Sequence, residues 1–284
     1  MNKYREIIDN FIHWGVKNEK VRAALLIGSQ ARKDNVADEY SDLDIVMFVD
    51  EPELFLLSDL WLGDIGKYHV SFIESTIGGA KEKRVIFNDI LDVDIIIQSY
   101  NTIDVIGVTE IADILLRGYT IIIDKVGLRK KLGLQKIIKP TYNFPSKQDF
   151  INTVNDFWYH CVWTAKKLKR GELWTAINCL DSYMKWKLLS IIEIHAKSKH
   201  GAEYDTWYGG RFLEEWADAR IIDELSNCFA QYNVESIKNA LLASMSLFRS
   251  LAIEISIKQG YRYPVSVDEY TFECVASLLD VKKD

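Results

Sequence analysis

Over the first 125 or so residues, the apolar positions come in short β-branched runs separated by polar turns. Runs at 23–27, 45–49, 69–73, 84–87, 93–98 and 120–124 are of strand length and composition and predict six strands. Between them, apolar residues at helical spacing predict helices over 3–18, 29–33 and 109–117, with a further one over 53–62. The texture then changes. Beyond the loop Lys139-Pro140-Thr141-Tyr142-Asn143-Phe144-Pro145-Ser146 the strand signal fades, and 149–169, 173–199 and 234–259 carry apolar residues at helical spacing. Pro140 and Pro145 mark a linker, and Ser146 is placed to cap the helix that follows. The pattern predicts an α+β chain: a mixed α/β domain over 1–138, then an all-helical domain over 146–284.

Composition narrows the setting. Apolar residues make up 48% of the 284 positions, enough to build two cores and to exclude disorder. No apolar run is expected to reach the length of a membrane span, and MNKYREIIDNF opens an amphipathic helix instead of a signal peptide, so a cytoplasmic protein with no membrane partner is expected. Cys161, Cys179, Cys228 and Cys274 are far apart, with no CxxC and no histidine at ligand spacing, which predicts reduced core thiols. A net charge of −6 argues against a sequence-independent grip on nucleic acid and is compatible with a small cationic substrate.

Candidate chemistry enters at LLIGSQARKDNVADEYSDLDIVMFV, residues 25–49. Asp42 and Asp44 are two apart on a strand, so they share a face about 7 Å apart along the chain. Two carboxylates brought to about 4 Å repel by roughly 4 kcal/mol at an effective dielectric of 20, which a divalent cation between them relieves. Magnesium suits such a site because it prefers oxygen ligands and shares its remaining positions with water and phosphate. Gly28 ends the preceding strand and lets the backbone approach a ligand closely. Ser29 is expected to open a helix whose free N–H groups favour an anion. The run ILDVDIIIQ, 90–98, offers a third carboxylate: Asp92 near the strand's entry, or Asp94 deeper in the apolar stretch and preferred on that ground. Its part would be to hold a second metal, to take a proton from an attacking hydroxyl, or both. Gly-Ser alone is common and Asp-x-Asp can simply end a strand at the surface. Their order and spacing, with a later buried Asp, point to a metal–nucleotide site.

These motifs resemble the signature of the nucleotidyltransferase superfamily: Gly-Ser, a gap, then Asp-x-Asp flanked by apolar residues. More narrowly the chain resembles the aminoglycoside 6-adenylyltransferases, or streptomycin adenylyltransferases, along nearly its whole length. The likeness is carried by IGSQARKDNVADEYSDLDIVMFVD, LDVDIIIQ, RGYTIIIDKVG, NDFWYHCVWTAKKLKRGE, FRSLAIEISIKQGYRYP and the turn Gly210-Arg211. The resemblance implies a polymerase-β-like catalytic domain followed by a helical substrate-binding domain, with Mg2+ as cofactor and ATP as co-substrate. It places Asp42, Asp44 and Asp94 as metal ligands and catalytic residues, with Gly28 and Ser29 at the phosphates. Lys166 would reach the triphosphate, while Asp156 and Glu172 would hold a cationic group of the drug. Relatives carry Arg after Gly-Ser, Tyr inside Asp-x-Asp and Lys at the glycine turn, where this chain has Gln30, Leu43 and Arg211.

The reading expected is therefore AMP transfer from ATP to a hydroxyl of a streptomycin-like aminoglycoside, conferring antibiotic resistance, by a monomer or homodimer. Two others stand beside it: the same reaction on another small molecule or a protein acceptor, and a nucleotide-binding module that no longer catalyses. Trp158, Trp163, Trp174 and Trp186 are read chiefly as helix packing, and Lys166 to Arg170 as a solvated helix face from which the resemblance singles out Lys166.

Overall fold

The computed structural model describes residues 3–32, 37–76, 79–108, 112–134 and 141–280, with the backbone alone for 105–108, 112, 113, 133 and 134. The chain divides into two compact units, Met1–Pro140 and Thr141–Asp284.

In the first unit the strands are β1 (Val21–Ile27), β2 (Leu43–Val49), β3 (Tyr68–Ser75), β4 (Lys81–Phe87), β5 (Leu91–Ser99) and β6 (Thr120–Asp124). They form one mixed sheet of order β3-β4-β5-β2-β1-β6. Only β2 and β5 run parallel among these pairings; the other neighbours are antiparallel. All six lie where the β-branched runs predict them. The central strands are apolar on both faces because both faces are covered. Leu43, Ile45 and Met47 pack beneath helix α1 (Arg5–Lys17), whose Ile7, Phe11 and Trp14 repeat at helical spacing. Val46 and Phe48 face the opposite way into a core closed by Leu115, Leu128 and Leu132. The helices on this unit are completed by α2 (Pro52–Leu57), α3 (Ala112–Arg117) and α4 (Leu128–Leu134).

Two helical expectations in this unit are corrected. The stretch 53–62 is α2 followed by a separate 3-10 turn, Leu60–Asp64, with Ser58 extended between them. The helix expected over 29–33 is a 3-10 turn of three residues, Gly28–Gln30, and Lys33 lies outside the described residues. The helix expected over 109–117 is described from Ala112 onward, 109–111 lying outside the described residues. Lys139 and Pro140 of the expected linker are outside them too.

The second unit is all helical: α5 (Lys147–Lys169), α6 (Leu173–Asn178), α7 (Met184–His200), α8 (Leu213–Trp216), α9 (Ala219–Leu225), α10 (Val234–Gln259) and α11 (Val265–Leu278). Ser146 caps α5, its hydroxyl accepting from the Asp149 N–H at 3.1 Å. The run 173–199 is not one helix: a π turn at Cys179–Tyr183 separates α6 from α7. Phe157 on α5 stacks on Phe248 of α10 with ring centroids 3.7 Å apart. α10 corrects another expectation, for it is long and apolar enough to cross a membrane by length and composition. Here it is a central core helix, with Leu241, Phe248, Leu251 and Ile255 fully buried. Three of the cysteines are buried, Cys274 is half-buried, and all four are free thiols.

Candidate active site

β2 and β5 are parallel neighbours in a register that sets Asp44 beside Asp94, while the antiparallel β1 sets Ile27 beside Asp44. Asp42 precedes β2 on the same face. As a result Asp42, Asp44 and Asp94 each offer an oxygen, and the three oxygens lie within 4.8 Å of one another. All three residues are half-buried. Asp92, exposed at the start of β5, accepts a hydrogen bond from the Tyr4 hydroxyl at 3.0 Å and stands outside this group. Of the two, the deeper Asp94 is the one that the fold brings to Asp42 and Asp44.

The turn after β1 seals one side. Gly28 has φ +65, and a Cβ built on it would lie 2.0 Å from the Asp44 Oδ2. The absent side chain is therefore what admits the Asp44 carboxylate, and the left-handed backbone suits glycine as well. Ser29 is buried and donates to the Asp42 carbonyl at 3.4 Å, and the Gln30 amide donates to the same oxygen at 3.3 Å. This short turn replaces the helix N-terminus that the sequence reading expected. Its polar side chains fix the backbone from which Asp42 projects.

Electrostatics favour a cation at the three carboxylates. Burial pushes the Asp94 carboxyl up to about 6. The Arg84 guanidinium opposes that shift, whereas Glu82, Asp42 and Asp92 add to it. A cluster of this kind, three half-buried oxygens converging with a glycine cleared away beside them, fits a hard divalent ion. Arg84 escaped the sequence reading. It stands opposite Asp94 in the β4–β5 register, and its Nη2 is 3.2 Å from Asp94 Oδ2. The cue, one of three basic residues in β4, does not single out Arg84 before strand register is known.

The other anticipated residues belong to the second unit. Lys166 is exposed on α5 and, among the described residues, forms no ion pair; it lines a pocket of about 730 Å³ with Trp163, Tyr270 and Glu273. Asp156 sits in a polar knot, 2.7 Å from the Lys187 ammonium and 2.8 Å from the His160 ring, and accepts from the Tyr183 hydroxyl at 2.9 Å. Burial pushes its carboxyl up, but Lys187 and Tyr183 outweigh that and hold it below the usual range. Glu172 is 2.7 Å from both Lys167 and Arg170. The sequence reading missed these partners: for Asp156, Lys187 comes from α7 and Tyr183 from the π turn before it, whereas His160 is one turn along α5 itself. Among the tryptophans Trp158 is core, whereas Trp174 and Trp186 are exposed.

Comparison with known proteins agrees with the motifs. A family model described as streptomycin adenylyltransferase matches residues 1–277. An aminoglycoside 6-adenylyltransferase of Bacillus subtilis (strain 168) is 22% identical, the match covering 93% of this chain and 94% of that protein. Another, from Campylobacter jejuni, is 21% identical over 93% of this chain and 92% of its own. A crystal structure of an aminoglycoside 6-adenyltransferase from Bacillus subtilis aligns with a TM-score of 0.47 at 19% identity, covering 98% of this chain and 99% of that one. With a family model spanning nearly the whole sequence, the chain belongs to the streptomycin adenylyltransferase family and is a nucleotidyltransferase.

Proposed function

We propose that this enzyme transfers AMP from ATP to a hydroxyl of a streptomycin-like aminoglycoside, with magnesium held by Asp42, Asp44 and Asp94. The observation that carries the reading is the convergence of the three carboxylate oxygens within 4.8 Å, beside a glycine turn that leaves room for them. Magnesium bound there would neutralise charge on the phosphates and on the departing pyrophosphate. Ser29 and Gln30 keep the Asp42 backbone in place through its carbonyl. Asp94, half-buried, takes the proton of the acceptor hydroxyl. The acceptor oxygen forms a bond to the α-phosphorus, the bridging P–O bond breaks, and pyrophosphate carries away the electron pair. Most of the acceleration then comes from alignment and fixed charge.

In this reading the first unit is catalytic and the helical unit binds substrate. Lys166, with no internal counter-ion among the described residues, is suited to a triphosphate. Asp156 and Glu172 are suited to cationic groups of the drug, which would exchange with Lys187 or Arg170. The role carries no need of nucleic acid or membrane, and a cytoplasmic setting would supply its ATP. A second reading keeps the chemistry and changes the acceptor. It is favoured by the ion pairs that already engage Asp156 and Glu172, since a drug cation would have to displace them.

The test is transfer of label from α-phosphate-labelled ATP to streptomycin, with and without EDTA. Labelled streptomycin that disappears on chelation is expected. Label that stays on ATP with streptomycin but moves to another small molecule would select the second reading.

A further inference from the structure

We propose that Arg84 is a positioning residue that pairs with one oxygen of Asp94 and so fixes the direction in which that carboxylate faces the active site. This rests on the metal-site reading above. Four strands are in register along one row: Asp44 on β2, Asp94 on β5, Arg84 on β4 and Phe72 on β3. Asp94 therefore lies between the carboxylate of Asp44 and the guanidinium of Arg84, within one face of the sheet. The Nη2 of Arg84 is 3.2 Å from Asp94 Oδ2, while its Nε is 2.9 Å from Glu82 Oε1 and 3.1 Å from Glu74 Oε2.

This arrangement decides what Arg84 can do. A guanidinium engaged by three carboxylates is a poor phosphate ligand, because a phosphate would have to displace acids already in place. Glu82 has a side chain only 10% exposed and anchors Arg84 from the neighbouring row, where Glu74 and Glu82 are paired across β3 and β4. The guanidinium is thus held from behind at its Nε, with Nη2 at ion-pair distance from Asp94 Oδ2. A carboxylate gripped at one oxygen loses rotation about its Cβ–Cγ bond, so its second oxygen keeps one direction. Arg84 acts on the reaction through Asp94 and touches no reacting atom. Side-chain geometry also separates positioning from plain charge. A cation near a metal site weakens metal binding by repulsion, so removing it for charge reasons alone should tighten the metal. Removing a group that aims a ligand should loosen it.

Binding of Mn2+ alone, followed by electron paramagnetic resonance without nucleotide or acceptor, discriminates the two. Positioning predicts that Arg84→Met raises the Mn2+ dissociation constant at least fivefold and lowers kcat at saturating metal at least tenfold, with KM for ATP within twofold. Arg84→Lys should recover most of the metal affinity. Should Arg84→Met fail to fold with its two glutamates left unpaired, Arg84→Met/Glu82→Gln removes one of those charges, and the same loss is expected. Wild-type protein that binds Mn2+ together with a soluble variant that binds it equally or more tightly would overturn the positioning role alone. Wild-type protein that binds no Mn2+ would instead overturn the metal-site reading and this inference with it.

Discussion

Two residues along β5 separate Asp94, which converges with two other carboxylates, from Asp92, which does not. Asp92 and Asp94 share a strand and a face, yet Asp94 converges with Asp42 and Asp44 while Asp92 is exposed and bonded to Tyr4. In the proposed mechanism, Asp94→Asn should lower turnover a hundredfold or more at saturating ATP, the upper range for a lost base that also holds metal. Asp92→Asn still offers Tyr4 an acceptor and should stay within a few-fold of wild type. Steady-state rates of the two variants side by side test this, and the reverse ranking would exchange their roles. Crowding of charge makes a second expectation. Oxygens within 4.8 Å repel by roughly 3–4 kcal/mol at an effective dielectric of 20, and partial exposure screens this to about 1–2. Asp42→Asn should therefore raise the unfolding free energy of the metal-free chain by about that amount, read by urea denaturation in EDTA. A loss of stability would mean that Asp42 is held by favourable partners instead.

The turn between β1 and β2 is where a short element governs the site. Its glycine is cleared for the Asp44 carboxylate, and its serine and glutamine tie down the Asp42 backbone. Gly28→Ala would put a methyl carbon 2.0 Å from Asp44 Oδ2 and also strain a left-handed backbone. It should cost about 1–3 kcal/mol of stability and abolish metal binding, measured by thermal unfolding and by Mn2+ titration. Ser29→Ala loses one neutral hydrogen bond, worth about 0.5–1.5 kcal/mol, and should weaken ATP use with little effect on the acceptor. An effect confined to the acceptor's KM would move Ser29 to the other end of the site. All six strands were legible in the sequence because β-branched runs bounded by turns need no tertiary information. The two aspartates and Gly28-Ser29 were legible because local order and spacing carry them. Helix breaks were not: the π turn at Cys179–Tyr183 and the extended Ser58 interrupt runs whose apolar spacing continues through them. Arg84 was not legible either, since only the pairing of β4 with β5 brings it to Asp94. α10 shows the opposite hazard, for its composition fits a membrane while its surroundings make it a core helix.

At the scale of the molecule, chemistry and recognition are divided between two units in the proposed reading. The first supplies the carboxylates on a sheet covered on both faces. The second supplies exposed aromatic and charged groups on helices, Lys166 foremost among the candidates for the nucleotide. If Lys166 serves the triphosphate, Lys166→Ala should raise KM for ATP about tenfold or more, the loss of a charge-assisted contact worth roughly 1.5–3 kcal/mol. Unchanged kinetics would return it to a solvated helix face. The central claim is that the three carboxylates catalyse nucleotidyl transfer to an aminoglycoside. The most direct measurement is pyrophosphate release from ATP and magnesium across a panel of aminoglycosides, run with wild type and with Asp42→Asn. Release that requires a streptomycin-like acceptor, and that falls at least a hundredfold in Asp42→Asn, is the predicted result. Release that ignores every aminoglycoside, or that persists within tenfold in the variant, would contradict it.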